Sequence, residues 1–318
     1  MKKPYVIGID MGATNTVFGV VDANGNILSR GCIKTQTHND INSYIKDLYD
    51  ELSKLISASG GIENFNGIGI GAPNGNYYSG NIEQAPNLPW KGVIPFGKLI
   101  SEKFGIPATI TNDANAAAIG EMAYGAAQGM KNFIMITLGT GVGSGIVIDG
   151  KLVYGHDGFA GELGHVTAVR ENGRLCGCGK YGCLEAYCSA TGVARSAREI
   201  LSTSNTESVL RDMPPENITS KDVFDAAMAG DALAKEIFAF TGKILGENLA
   251  DFVAFSAPEA IVLFGGLSQA GDLIMSPIRE NMENNLLPIW RGKVKLLFSE
   301  LKEANAAILG ASALAWNL

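Results

Sequence analysis

The chain has 318 residues, of which 46% are hydrophobic and 18% charged, with a net charge of −7. These values describe an ordinary globular protein with room for one large domain or two medium ones. No basic run marks a nucleic-acid footprint, and no apolar stretch approaches the ~18 residues of a membrane span. The first apolar run is too short for a signal peptide, so the expected compartment is the cytoplasm, which is reducing.

Residues Tyr5 to Leu28 read as a strand, a glycine-bearing turn, a second strand and an Asn-Gly turn. Helical spacing follows from Ile41 to Ile56, and "GIGIGAP" (Gly67 to Pro73) is a buried-strand candidate. "IPATITNDANAAAIGEMAYG" reads as a strand, then Asn112-Asp113, then an alanine-rich helix. Phe133 to Val153 repeats the opening plan, with Asp149-Gly150 as its closing turn and Thr137 in the place of Asp10. Helices are expected over Thr191 to Leu201, Ser220 to Ala229 and Asp231 to about Ser256, with Asn205 to Ser220 as a surface insertion. "EAIVLFGGLSQAG" and "KVKLLFSEL" supply further strands, and Ala304 to Trp316 forms a closing amphipathic helix. Alternating strands and helices define an α/β class. The duplicated hairpins predict two related domains facing each other across a cleft.

Each duplicated turn, "IDMGATN" and "LGTGVGSG", ends an apolar strand with glycines and hydroxyls. Successive N–H groups there can converge on anionic oxygen. Neither turn is a P-loop or a dinucleotide fingerprint, because no Gly-Lys-Ser/Thr follows and a strand, not a helix, comes next. Asp10 offers the hard carboxylate oxygen that Mg²⁺ prefers. Asp113, at the start of a helix, reads locally as an N-cap, a role compatible with accepting a proton.

One of the three histidines and four of the five cysteines fall between Gly164 and Cys188. His165, Cys176, Cys178 and Cys183 make a Cys₃His set suited to tetrahedral Zn²⁺, with Gly177, Gly179 and Gly182 letting the backbone wrap closely. The alternatives are a disulfide, which the compartment disfavours, and a reactive thiol, which needs one sulfur rather than three. Cys188 is expected to pack on a short helix and Cys32 to lie in the core.

Asp10-Met11-Gly12-Ala13-Thr14, a D-x-G-x-T motif, and the turn at Gly139 to Gly145 resemble the sugar kinase/actin-like ATPase superfamily. Gly161-Glu162-Leu163-Gly164-His165, followed by Cys176, Cys178 and Cys183, resembles the ROK family of bacterial repressors and sugar kinases. Asn87 in "APNLPW", "TNDANAAA" and Gly265-Gly266 extend the resemblance over nearly the whole chain. Two departures stand out: Ala13 where the family has a second glycine, and "APNGN" in place of Pro-Gly-x-Val in the sugar loop.

The resemblance implies a two-domain actin-like (ribonuclease H-like) ATPase fold. Its expected division is residues 1–113 with 304–318 against residues 114–303. It implies ATP-dependent phosphorylation of a hexose at its 6-hydroxyl, as in glycolysis, with glucose as the first candidate. N-acetylmannosamine, N-acetylglucosamine, fructose and allose are the other candidates. Asp113 would be the catalytic base, and Gly75, Asn87, Asn112, Asp113, Glu162, His165 and Glu185 would hold the sugar. Asp10, Gly12, Thr14, Asn15, Gly139, Thr140, Gly141, Gly143, Gly265 and Gly266 would hold ATP with Mg²⁺. His165, Cys176, Cys178 and Cys183 would hold a structural Zn²⁺.

A homodimer without nucleic-acid or membrane partners is implied. A sugar-sensing repressor is the competing class, although the first strand at Tyr5 is expected to leave no room for a helix-turn-helix segment. Glu162 and Glu185 flank the metal ligands, so a fixed loop is expected to fix both carboxylates. The two phosphate turns, on hairpins of their own, are expected to stand apart from it.

Overall fold

The computed structural model describes residues 3–301 and 303–318. The chain begins with strands β1 (Tyr5–Met11), β2 (Asn15–Asp22) and β3 (Ile27–Lys34), helix α1 (Ile41–Ala58) and strand β4 (Phe65–Gly71). Short strands β5 (Ile82–Glu83) and β6 (Val93–Ile94), helix α2 (Phe96–Phe104), strand β7 (Ala108–Thr111) and helix α3 (Asp113–Tyr124) follow. Then come β8 (Phe133–Leu138), β9 (Val142–Ile148) and β10 (Lys151–Leu152), and helices α4 (Glu185–Cys188), α5 (Ala190–Thr203), α6 (Ser220–Met228) and α7 (Ala232–Ser256). The chain closes with β11 (Ala260–Phe264), α8 (Asp272–Asn285), β12 (Lys295–Phe298) and α9 (Glu303–Leu314).

Two five-stranded sheets share one plan, β3-β2-β1-β4-β7 and β10-β9-β8-β11-β12. In each, an antiparallel edge leads into three parallel strands, β1, β4 and β7 or β8, β11 and β12. The duplicated hairpins of the sequence thus become duplicated sheets. Parallel strands covered on both faces read as continuous apolar runs, and Val6, Ile7, Ile9, Ile68 and Ile70 are fully buried. β3 instead alternates half-buried and exposed residues, as an edge strand does. That alternation corrects the expectation for Cys32: it is exposed, not core.

The chain divides into two compact units, residues 1–131, 145–161 and 299–318 in one, and 132–144 with 162–298 in the other. This partition differs from the boundary expected at Asp113, because α3 packs on α9. A Cβ at Gly120 would lie 2.8 Å from the Cα of Gly310, so the two helix backbones meet directly. α9 also rests on the first sheet at two glycines, with Ile308 O against Gly8 and Ala311 O against Gly69. α1 covers this unit with an apolar face of Tyr44, Ile45, Leu48, Leu52 and Ile56, and the Asp40 side chain caps its first turn.

The second unit is built around α7, whose buried residues include Ile237, Phe238, Leu245 and Leu249. The segment expected as a surface insertion carries two short helical turns, and Leu210 and Ile218 anchor it in the core. Among the described residues, no helix is long and apolar enough to cross a membrane.

Candidate active site

In the first unit the parallel strands β1, β4 and β7 bring Asp10, Gly71 and Asn112-Asp113 to one end of the sheet. Ligands of α/β sheets gather at the carboxyl ends of such strands. Gly71 lies between the two acids: a Cβ there would sit 3.4 Å from Asp10 Oδ1 and 3.7 Å from Asp113 Cα. Desolvation, reinforced by the charge of Asp113, pushes Asp10 up to about 7. Desolvation also raises Asp113, although its side chain keeps a face open to water. The cap expected at Asp113 belongs to its neighbour. Asn112 is the N-cap, its Oδ1 accepting from Ala114 N at 2.9 Å, and Asp113 occupies the first turn, accepting the same N–H at 2.8 Å.

The turn between β1 and β2 presents Gly12, Ala13, Thr14 and Asn15, the last two exposed. Gly12 N donates to Asn15 O at 3.0 Å, and a Cβ on Gly12 would press on that oxygen. A chain of buried hydroxyls supports the turn from below. Thr35 Oγ1 donates to Gly12 O at 2.8 Å and lies 2.9 Å from Thr16 Oγ1, which lies 2.8 Å from the Tyr44 hydroxyl. With the Thr35 proton committed to Gly12, Thr16 must donate to Thr35 and Tyr44 to Thr16.

Gly75 packs against Thr111 O, one residue before Asn112. Asn87 is exposed, in a loop pinned by buried Leu88 and Trp90. Lys91 Nζ stiffens that loop by donating to Pro86 O and Leu88 O, at 2.9 and 3.0 Å.

In the second unit Gly139, Thr140 and Gly141 connect β8 to β9. Ala190 N donates to Gly139 O at 2.9 Å and Thr191 Oγ1 to Thr140 O at 3.0 Å, while Gly143 N donates to Thr137 Oγ1 at 3.0 Å. Glu185, the first residue of α4, lies against this turn. Its Oε2 accepts from Val142 N at 2.9 Å and touches the position a Cβ of Gly141 would take. Its Oε1 lies 3.5 Å from Cys176 Sγ. The expectation that the second glycine turn stands apart from the cysteine loop is therefore corrected: one carboxylate joins them. Glu162 is exposed, immediately before the short helical turn Leu163–His165.

His165, Cys176, Cys178 and Cys183 place their ligand atoms within 4.8 Å of one another. Cys178 and Cys183 Sγ are 3.6 Å apart, and Cys176 Sγ is 3.8 Å from His165 Nδ1. Four atoms bonded to Zn²⁺ at about 2.0–2.3 Å in a tetrahedron stand about 3.3–3.8 Å apart, so these residues fit that ion. Desolvation pushes the Cys176 thiol up to about 12, so a cation at the site would be needed to favour its thiolate. Cys188 is buried on α4, as its position suggested, and lies 3.7 Å from Thr241 O.

The anchor of this loop is Arg174, which no motif of the sequence singles out. It is buried, donating to Glu199 at 2.6 and 2.9 Å and to Ala186 O at 3.0 Å, with its guanidinium 4.4 Å from the centre of the Tyr187 ring. Gly265 and Gly266 follow β11, and Gly266 borders a cavity of about 280 Å³. Ser220, Lys221, Phe224, Phe238 and Leu267 help line it. No motif announced the lining from α6 and α7; its only trace is the helical spacing of Phe224 and Phe238.

A family model described as the ROK family matches residues 6–317. The chain belongs to the ROK family. Among ROK relatives, a glucokinase of Halalkalibacterium halodurans is 38% identical over 91% of this chain and 88% of its own. A ROK glucokinase from Streptomyces griseus, solved with glucose and AMPPNP, matches at 34% identity and a TM-score of 0.78, covering 99% of this chain and 100% of its own. A xylose repressor of Caldicellulosiruptor bescii is 28% identical over 97% of this chain and 77% of its own. The fold is that of the ROK sugar kinases, the actin-like ATPase fold.

Proposed function

We propose that this ROK protein is an ATP-dependent sugar kinase that transfers the γ-phosphoryl group to the 6-hydroxyl of a hexose, with glucose preferred. The observation that carries the reading is Asp113. It stands in the first turn of a helix at the carboxyl ends of parallel strands, exposed, with its neighbour Asn112 taking the capping duty. A raised carboxylate is a better proton acceptor than an ordinary one. As O6 forms its bond to the γ-phosphorus, the bond to the bridging oxygen breaks. Asp113 takes the hydroxyl proton, and ADP and the sugar 6-phosphate are left.

Phosphoryl transfer asks the protein mainly for positioning and charge stabilisation. Within the two glycine turns, Ala13 and Thr14, and Thr140 and Gly141, are the residues for phosphate oxygens, since Gly12 N, Gly139 N, Val142 N and Gly143 N are engaged inside the turns. The cavity beside Gly266 suits the apolar face of an adenine ring. Asp10 is a hard oxygen donor fit to hold Mg²⁺, directly or through water, which would neutralise charge on the phosphate oxygens. Asn87, Asn112, Glu162 and Glu185 supply amides and carboxylates for sugar hydroxyls, and Gly75 rests its loop on Thr111, next to Asn112. His165 turns Nδ1 toward the thiols, which leaves Nε2 as a donor to the sugar. The Zn²⁺ held by His165 and the three cysteines would act by fixing this loop.

A panel of sugars assayed for ADP release with Mg-ATP tests the reading. Glucose should give the highest kcat/KM. An N-acetylated sugar that exceeds glucose tenfold overturns the preference, and no turnover of any hexose overturns the class.

A further inference from the structure

Three tyrosines that no motif explains converge on one another, all within the first unit. The ring of Tyr77 stacks on that of Tyr154 at 4.1 Å and 7°. Tyr78 stands edge-on to both, at 5.8 and 5.9 Å. Tyr77 and Tyr78 are nevertheless 43% and 60% exposed. Two loops bring them together, residues 72–81 after β4 and residues 153–161 after β10.

A buried side chain clasps the loops. Asn76 Nδ2 donates to Asp157 O at 2.7 Å, while its Oδ1 accepts from Tyr78 N and Ser79 N at 3.0 and 3.2 Å. Gly158 lies so close that a Cβ there would run into the Asn76 side chain. The first loop rests through Gly75 on the Thr111 carbonyl. Thr111 is two residues from Asp113.

Exposed aromatic rings ordinarily gain little from being held in register. Here a buried amide, a ring stack and two loop contacts fix them before any ligand arrives. Pre-organised aromatic surface with polar tips suits a ligand that is apolar on its face and hydroxylated at its rim. A pyranose has that chemistry, because its axial C–H bonds form an apolar face and its equatorial hydroxyls point outward.

The geometry points to Tyr77, Tyr78 and Tyr154 as an aromatic wall of the acceptor-sugar site that selects all-equatorial pyranoses. This inference rests on the sugar-kinase reading and deepens it. An axial hydroxyl projects from the ring face and lifts the sugar off the wall. Glucose should therefore be favoured over mannose, axial at C2, and over allose, axial at C3.

The test compares Tyr77→Ala, Tyr77→Leu and Tyr77→Phe with the wild type, using calorimetric titration of glucose, mannose and allose alongside steady-state kinetics. Tyr77→Ala and Tyr77→Leu should raise the glucose Kd and KM about tenfold and narrow the preference over the epimers, while the ATP KM stays within about twofold. Tyr77→Phe, which keeps the ring, should restore both affinity and preference, and unchanged melting temperatures will show that the variants fold. If Tyr77→Ala destabilises the loop, Tyr78→Ala gives the same reading from the edge-on ring. A Tyr77→Leu enzyme with wild-type glucose affinity and epimer preference overturns the wall. So does a Tyr77→Ala enzyme whose only change is in sedimentation, which would assign the rings to contact between copies. Titration needs no phosphoryl transfer, so a wild type that binds glucose without turning it over refutes the kinase reading while the same titrations still decide the wall.

Discussion

Asp113 in the first unit and Glu185 in the second are both carboxylates at helix starts, yet their surroundings differ. Asp113 accepts from Ala114 N and keeps a face open to water. Glu185 has one oxygen on Val142 N and the other beside Cys176 Sγ. Both keep lone pairs, but the second also ties a glycine turn to the cysteine loop. A carboxylate's neighbours, more than its position on a helix, decide whether it reacts or braces.

The sharpest way to break this contrast is Asp113→Asn. Removing the proton acceptor should lower kcat by ~10²–10⁴ while glucose affinity by calorimetry changes far less. Turnover within threefold of wild type would remove Asp113 from the base role. Glu185→Gln, by comparison, should alter binding more than the chemical step.

The cysteine loop tests the bracing side. Elemental analysis of protein purified without added metal should find about one zinc per chain, and Cys178→Ser should lose it. Because Glu185 reaches both the loop and the Gly139–Gly143 turn, that loss should weaken glucose and ATP binding together, on the order of tenfold each. Loss confined to glucose would show that the turn is held without Glu185. Melting curves for the variant and for chelated wild type would separate local loosening from global unfolding.

The pH dependence sharpens the reactive side. As the proposed base Asp113 would work deprotonated, and desolvation raises it, so kcat/KM should climb with pH along a limb above the ordinary carboxylate range. Asp10, pushed up to about 7, would hold a cation well only when ionised. The Mg²⁺ concentration needed for half-maximal rate should therefore fall as pH rises through about 7. An acid limb with its midpoint near 4 would place Asp113 in an ordinary aqueous setting. The smallest effect belongs to Tyr44→Phe, which removes the last donor below the first glycine turn. It should cost ~0.5–1.5 kcal/mol of stability and raise the ATP KM a few-fold at most.

Much of this was legible in the sequence because its signals are local. The duplicated hairpins gave the two sheets, and the spacing from His165 to Cys183 gave a ligand set whose atoms do converge. What escaped depends on partners far along the chain. No motif singles out Arg174, around which Glu199, Ala186 and Tyr187 close. Asp113 and Asn112 are equally good caps by composition, and only the backbone geometry assigns the duty. The cavity beside Gly266 takes its apolar lining from helices whose spacing reads equally well as core. Residues 114–131 join the first unit because Gly120 meets Gly310, a contact that no window of sequence contains.

That crossing also orders events in time. β1 and β4 are synthesised early, but the faces of Gly8 and Gly69 wait for the backbone of Ile308 and Ala311. A chain emerging from the ribosome could complete the contacts of the second unit, residues 132–144 and 162–298, while the first sheet still lacked its cover. Small early units normally fold as they appear. Here the earliest strands would be finished last, leaving the apolar surface later covered by α9 to be shielded in the meantime by the cell's holding machinery or by transient collapse.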